Sequence, residues 1–252
     1  MKSATWKSGL MMATVLAASV ASAAPPAPSS GWMADGSAID SFGSIDGTAT
    51  GSLTYAAGVF GQAFSFDGNG SVNLPHNAFS SLASSDTTIV AWLKTSTRGD
   101  TAAVKFQDAW LLYFDSAQPG VITGVWNDWP NRLSSGIDIS DGLWHHVASV
   151  YAGGIASIYV DGTLRASGAR SRLSASGLSS FGAGYFANYV GLIDDVSIYR
   201  HALTQQEIES VMSEGLAAAV PEPAAYALLV SGLLAVGTVA TRREHREKGA
   251  AS

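Results

Sequence analysis

The sequence predicts an all-β sandwich, preceded by a secretory signal and followed by a hydrophobic C-terminal helix. Three observations lead there. Gly and Ser punctuate short runs rich in Val, Ile, Tyr, Phe and Trp at the spacing of sandwich strands. Only one soluble segment, Thr204 to Met212, carries helix start signals. The chain has no cysteine, so its stability must come from core burial, hydrogen bonding or a bound metal.

Taken in order, Met1 to Ala23 reads as a secretory signal. Lys2 and Lys7 make a positive start, Gly9 to Val20 is apolar, and Ala21-Ser22-Ala23 is a small-residue cleavage site. Cleavage is expected after Ala23, and the alternative is an uncleaved anchor helix. Residues 24–30 form a Pro-rich linker. The domain spans 31–213. Thr87 to Thr95 reads as a strand with Ile89, Ala91 and Leu93 on one face. Ala109 to Phe114, Val121 to Trp126 and His145 to Tyr151 read likewise. Ile155 to Ala166 is a hairpin, because Asp161-Gly162 accepts the positive φ values of a two-residue type I′ turn. In the helix, Thr204 and Glu207 form a capping box. Residues 214–219 are a second linker.

The tail, residues 220–246, combines Val220-Pro221-Glu222-Pro223, an uncharged stretch from Ala224 to Ala240, and a basic cluster, with residues 247–252 beyond it. The stretch lies at the short end of what spans a bilayer, where roughly 20 residues are usual. It is apolar on every face, unlike most core helices. Arg242, Arg243 and Arg246 would stay cytoplasmic. Pro-Glu-Pro, apolar helix and Arg242-Arg243 in this order resemble the PEP-CTERM sorting signal of Gram-negative bacteria. The resemblance implies an exosortase-type peptidase as a partner, cutting near Pro221-Glu222-Pro223 after transient inner-membrane association. The mature chain would then reach the cell surface or the exterior. One departure is that the chain continues from Glu244 to Ser252.

Between the two hydrophobic ends, Ala24 to Ala219 holds 8 Lys and Arg against 17 Asp and Glu, a formal charge of −9. That excludes nucleic acid and anionic membrane surfaces, which need basic patches. It suits a neutral ligand or a cation.

The strand blocks resemble a LamG-like, concanavalin A-like jelly roll. They are Gly61 to Gly68 with Val72, Thr88 to Lys94, Trp144 to Ala148 with Ile158 to Gly162, and Gly191 to Tyr199 with Ala202 to Thr204 and Glu207-Ile208. Trp32, Asp35, Asp40, Ser41 and Gly43 fit the N-terminal edge. The resemblance implies two antiparallel sheets and leaves function open, because such scaffolds host lectins, glycosidases and adhesion modules. Related glycosidases carry a Glu-x-Asp-x-x-Glu strand, which is absent from this sequence. Glycoside cleavage needs two carboxylates flanking the bond. The domain's three Glu, at 207, 209 and 214, all fall on or beside the helix. No Ser lies in a Gly-x-Ser-x-Gly elbow. His145 and His146 point to opposite faces of a strand and cannot readily share a metal; one should be packed and the other a surface residue. The domain is expected to be non-catalytic.

Trp126-Asn127-Asp128-Trp129 is the candidate carbohydrate site. Two flat rings in one loop can stack on a pyranose, and Asn127 and Asp128 offer partners for hydroxyls. The competing reading is that one Trp caps the core edge and the other fills the loop. Trp92, Trp110 and Trp144 read as packing residues. The jelly-roll resemblance further implies a structural calcium ion, held by Asp194, the carbonyl of Gly68, and Asp35. The alternative for Asp194 is hydrogen bonding to nearby backbone amides. Strand alternation would put Asp195 on the face opposite Asp194, so that one of the two faces outward. Two functions remain: a carbohydrate-binding, lectin-like module for polysaccharide at the cell exterior, or a structural or adhesive protein that binds a protein partner.

Overall fold

The computed structural model of the chain describes residues 24–80, 86–106, 110–114, 121–123, 132–169, 177–183 and 187–220. The strands are β1 Ser30–Trp32, β2 Thr48–Thr50, β3 Thr54–Ala57, β4 Gln62–Asp67, β5 Ser71–Leu74, β6 Thr87–Lys94, β7 Thr101–Phe106 and β8 Trp110–Phe114. They continue with β9 Val121–Thr123, β10 Leu133–Ser134, β11 His145–Ala152, β12 Ile155–Val160, β13 Thr163–Ala169, β14 Ser179–Phe181 and β15 Val190–Tyr199, and helix α1 Gln205–Glu214 follows. One sheet, here sheet A, runs β13-β12-β11-β6-β15-β4-β3, with β1 also pairing β15. Sheet B runs β10-β9-β8-β7-β14-β5-β2. Every strand pair is antiparallel, and hairpins alternate with long crossovers such as β6–β15, β7–β14 and β14–β5, as in a jelly roll.

The inner faces of the two sheets meet in one core. Ile89, Ala91 and Leu93 of β6 face it, as alternation predicts. Trp32 sits at its centre, fully buried and ringed by Phe79, Phe106 and Phe181 at 5.0–6.3 Å between ring centroids. Its indole N–H donates to the carbonyl of Ile45 at 3.0 Å, so burial leaves no orphan donor.

Sheet A's outer face is also covered. Val90, Ala148, Val150 and Tyr199 form a second apolar cluster with Leu203 and with Ile208 and Val211 of α1. This explains why β6 is nearly apolar on both faces. The helix starts where the sequence places it. Thr204 is its N-cap, and both arms of the capping box with Glu207 are present. Thr88 reaches out of the sheet to bond His201 and Leu203 on either side of the turn that precedes the helix. The β12–β13 turn has Asp161 at φ 52° and Gly162 at φ 72°, matching the expected type I′ turn.

Candidate functional site

The sequence-predicted residues fall in several places. Trp126, Asn127, Asp128 and Trp129 lie outside the described residues, between β9 and β10 in sequence. The signal and its Ala23, and the tail with Pro221, Glu222, Pro223, Arg242 and Arg243, lie outside them too. No helix among the described residues is long and apolar enough to cross a membrane.

Asp194 and Asp195 lie at the irregular centre of β15. Pairing with β6 shifts register between Asp194 and Ser197, and Asp195 takes φ 46°. This β-bulge changes the expected alternation. Neither aspartate faces solvent: Asp194 is fully buried and Asp195 is 4 % exposed. The outward-facing partner expected from strand alternation is therefore corrected by the bulge.

Asp194 holds the loop between β3 and β4. Its Oδ2 accepts from the amides of Val59 at 2.8 Å and Phe60 at 3.1 Å, and its Oδ1 accepts from Asp195 N–H at 2.8 Å. A side chain at Gly58 would collide with Asp194 Oδ2. Asp35 reaches the same loop, accepting from Gln62 N–H at 2.7 Å. Asp195 accepts from Leu216 N–H at 2.8 Å, tying the short 3-10 turn Leu216–Ala219 to the sheet. Burial pushes the Asp194 carboxyl up to about 6, against the lowering effect of its three amide donors. Burial pushes Asp195 further, to about 7, and the charges of Asp194 and Asp35 add to it.

The three expected calcium ligands are not gathered around one point. Val190 pairs with Asp67, and Ile193 with Phe64, so Gly68 lies five residues along the sheet from Asp194's neighbour. At ~3.3 Å per residue that is about 17 Å. The Gly68 carbonyl instead accepts from Asn188 Nδ2 at 2.9 Å. Asp194 already receives three amide protons, the alternative that the sequence left open. Calcium takes 6–8 oxygen ligands, and among the described residues no three or more His, Asp or Glu are grouped to hold a metal ion. Asp40 behaves as Asp194 does. It accepts amide protons from Gly31, Phe42, Gly43 and Ile45, which ties the N-terminal edge together.

The two histidines divide as expected. His146 is buried against Trp92, with ring centroids 5.1 Å apart, and burial pushes its pKa down to about 3. His145 lies nearer the surface, with Nδ1 at 2.9 Å from Asp161 and Nε2 at 3.3 Å from Asp141. Asp138 pairs with Arg98. Trp144 is only partly buried. Glu207 and Glu209 are committed within the helix, to Thr204 and to Gln205. Sequence reasoning missed the clasp around His145. The visible signal was the polar spacing of Asp141, His145 and Asp161 near strand ends.

A family model described as the concanavalin A-like lectin/glucanases superfamily matches residues 66–209, more than half the chain. Among solved structures, the chain is similar to domain 4 of AbnA, a GH43 extracellular arabinanase from Geobacillus stearothermophilus, in complex with arabinotriose. Identity is 21 %, the TM-score is 0.62, and the match covers 74 % of this chain and 98 % of that one. A botulinum neurotoxin type C structure concerned with interaction with two ganglioside molecules matches at 16 % identity and TM-score 0.55, over 71 % of this chain and 49 % of that one. The binding domain of botulinum neurotoxin DC in complex with rat synaptotagmin II matches at 17 % and 0.54, over 71 % and 49 %. The chain thus spans about half the length of the two neurotoxin chains. At these identities the likeness is one of fold. No curated protein matches in sequence.

Proposed function

The chain belongs to the concanavalin A-like lectin/glucanases superfamily, and from that footing we propose that it is an exported, non-catalytic carbohydrate-binding module. The observation that carries this reading is the match to an arabinotriose-bound domain over nearly all of that domain's length. Its partner would be polysaccharide at the cell surface or exterior. The PEP-CTERM-like tail would sort it there through an exosortase-type peptidase. One structural feature supports the arrangement. Val220 follows directly on α1 and its 3-10 turn, and α1 packs on the outer face of sheet A. A tether there would lie on the side of the sandwich away from sheet B. The non-catalytic part of the reading rests on the carboxylates: Asp194, Asp195 and Asp40 serve as amide acceptors, and all three Glu are on the helix side.

A second reading, an adhesive module for a protein ligand, draws on the synaptotagmin-bound neighbour. One experiment separates the two. Polysaccharide pull-down and a glycan array with the processed chain should give binding. Changing Trp126 and Trp129 together to Ala should abolish it while leaving the Tm within a few degrees, because each stacked ring contributes about 1 kcal/mol. Absence of glycan binding by the unaltered chain would remove the carbohydrate reading. A large loss of stability in the double variant would make the two rings core residues.

A further inference from the structure

The chain contains six Asn, and only Asn69 is followed at the second position by Ser or Thr, in Asn69-Gly70-Ser71. We propose that Asn69 is the acceptor of an N-linked glycan, a modification that rests on the exported reading above but not on the chain's own sugar binding. Asn-x-Ser marks such acceptors when it falls on the surface of an exported chain. Here it falls at the tip of the turn that carries the chain from β4 in sheet A to β5 in sheet B.

The local structure presents this residue. Asn69 is exposed, and its neighbours Gly68 and Gly70 bring no side chains that would crowd an approaching enzyme. Asp67 fixes the turn from below. Its Oδ1 accepts from Asn69 N–H at 2.8 Å and from the Ser52 hydroxyl at 2.6 Å. Such an Asx-type turn holds the backbone, and the Asn69 carboxamide lies against the same exposed Asp67 carboxylate at the surface of the turn. Ser71, the residue that completes the motif, opens β5 with its hydroxyl 2.8 Å from Thr50 Oγ1 in an exposed pair. Other asparagines lack the motif. The side-chain amide of Asn188 is tied to the Gly68 carbonyl, and that of Asn73 reaches Thr50. Asn77 accepts from Gly177 N–H.

The reaction is a glycosyl transfer. The co-substrate class is an oligosaccharide linked through diphosphate to a membrane lipid. A bond forms between Asn69 Nδ2 and the anomeric carbon. The bond from that carbon to the diphosphate oxygen breaks, the lipid diphosphate leaves with the electron pair, and Nδ2 gives one proton to a base of the transferase. No oxidant or reductant is involved.

The position also fits a binding module. Strands β5, β7 and β9 run in the same direction, each related to the next through an antiparallel strand between them. Asn69 precedes the start of β5, whereas the loop of Trp126 and Trp129 follows the end of β9. The glycan would therefore leave from the rim opposite the end of β9, the strand that precedes Trp126 and Trp129 in sequence.

The test is mass spectrometry of the full-length protein's product purified from its native host. The peptide carrying Asn69 should bear a glycan mass that an amidase releasing N-linked glycans removes. Asn69→Gln and Ser71→Ala should each lose that mass, and Ser71→Thr should keep it. All three changes fall in an exposed turn, so the fold should persist. An unmodified Asn69 in native protein would overturn the proposal, as would only the small mass gain of deamidation at Asn69-Gly70. Failure of the carbohydrate reading would show separately, as loss of polysaccharide binding by unglycosylated recombinant protein.

Discussion

Replacing Asp195 by Asn should stabilise the domain at neutral and alkaline pH. Asp195 is buried, and its carboxyl is raised from an ordinary 3.8 to about 7 by burial first, then by the charges of Asp194 and Asp35. A raised folded-state value means the stabilising contribution is complete below the unfolded value and is lost as pH rises through the folded one. The window is therefore pH 4 to 7, with the penalty full at pH 8. Three pH units at about 1.4 kcal/mol each set an upper bound of about 4 kcal/mol. Part of that belongs jointly to the Asp194–Asp195 pair, so a gain of about 2–3 kcal/mol is expected for the variant at pH 8. Asn keeps an oxygen to accept from Leu216 N–H, and it tolerates φ 46° better than most residues. At pH 5 the advantage should shrink to under about 1 kcal/mol, because wild-type Asp195 is then protonated when folded. His146 acts in the opposite sense: its folded value is depressed to about 3 from 6.5, so its contribution is present above pH 6.5 and lost on acidification. Comparing variant with wild type at each pH cancels that term. Urea unfolding at pH 5, 6, 7 and 8 would provide the measurement. A variant less stable at pH 8, or a difference that does not change with pH, would refute the reasoning. Repeating the series with millimolar calcium and then with chelator tests the metal directly. A cation seated at Asp194 and Asp195 would abolish the pH dependence in calcium and restore it in chelator.

Three further outcomes follow from the geometry. Gly58→Ala should destabilise the fold by about 2 kcal/mol or more, since the new methyl displaces Asp194 from the amides of Val59 and Phe60; thermal unfolding would check it, and an unchanged Tm would mean the loop adapts freely. Thr204→Ala removes one arm of the capping box and should cost about 1 kcal/mol, read by urea unfolding. Mass spectrometry of native surface extract or culture supernatant should find mature chains lacking the Tyr226–Arg242 segment, whereas its recovery would make the tail a permanent anchor.

Much of the fold was legible because its signals are local. Strand β6 was expected at Thr87 to Thr95 and occupies Thr87–Lys94; β11 was expected to end at Tyr151 and ends at Ala152. Period-two burial, an Asp-Gly turn and a capping box each act within a few residues, so the sequence displays them. Of the strand expected from Val121 to Trp126, Val121–Thr123 forms β9 and the rest lies outside the described residues. Trp32 illustrates the larger limit. Its sequence surroundings, Gly31 and Met33, do not distinguish an edge residue from the centre of the core. Only the return of β15 beside β1 places its ring among Phe79, Phe106 and Phe181.

The aspartates of β15 show why a candidate site is harder to read than a strand. Alternation assigns Asp194 and Asp195 to opposite faces and leaves one in water. The structure inserts a bulge between them and buries both, because strand β4 ends beside Asp194 and β1 takes over as partner from Val196 onward. At such a change of partner, backbone amides of the incoming loops have no ladder to join. A carboxylate that accepts several of them satisfies groups that would otherwise be orphaned at about 1–3 kcal/mol each. The same need explains Asp40, which gathers four amides where β1 leads into its following loop. An acid in a jelly-roll motif can therefore serve chain crossing. Its sequence neighbours do not reveal this, because the amides it serves lie up to 135 residues away.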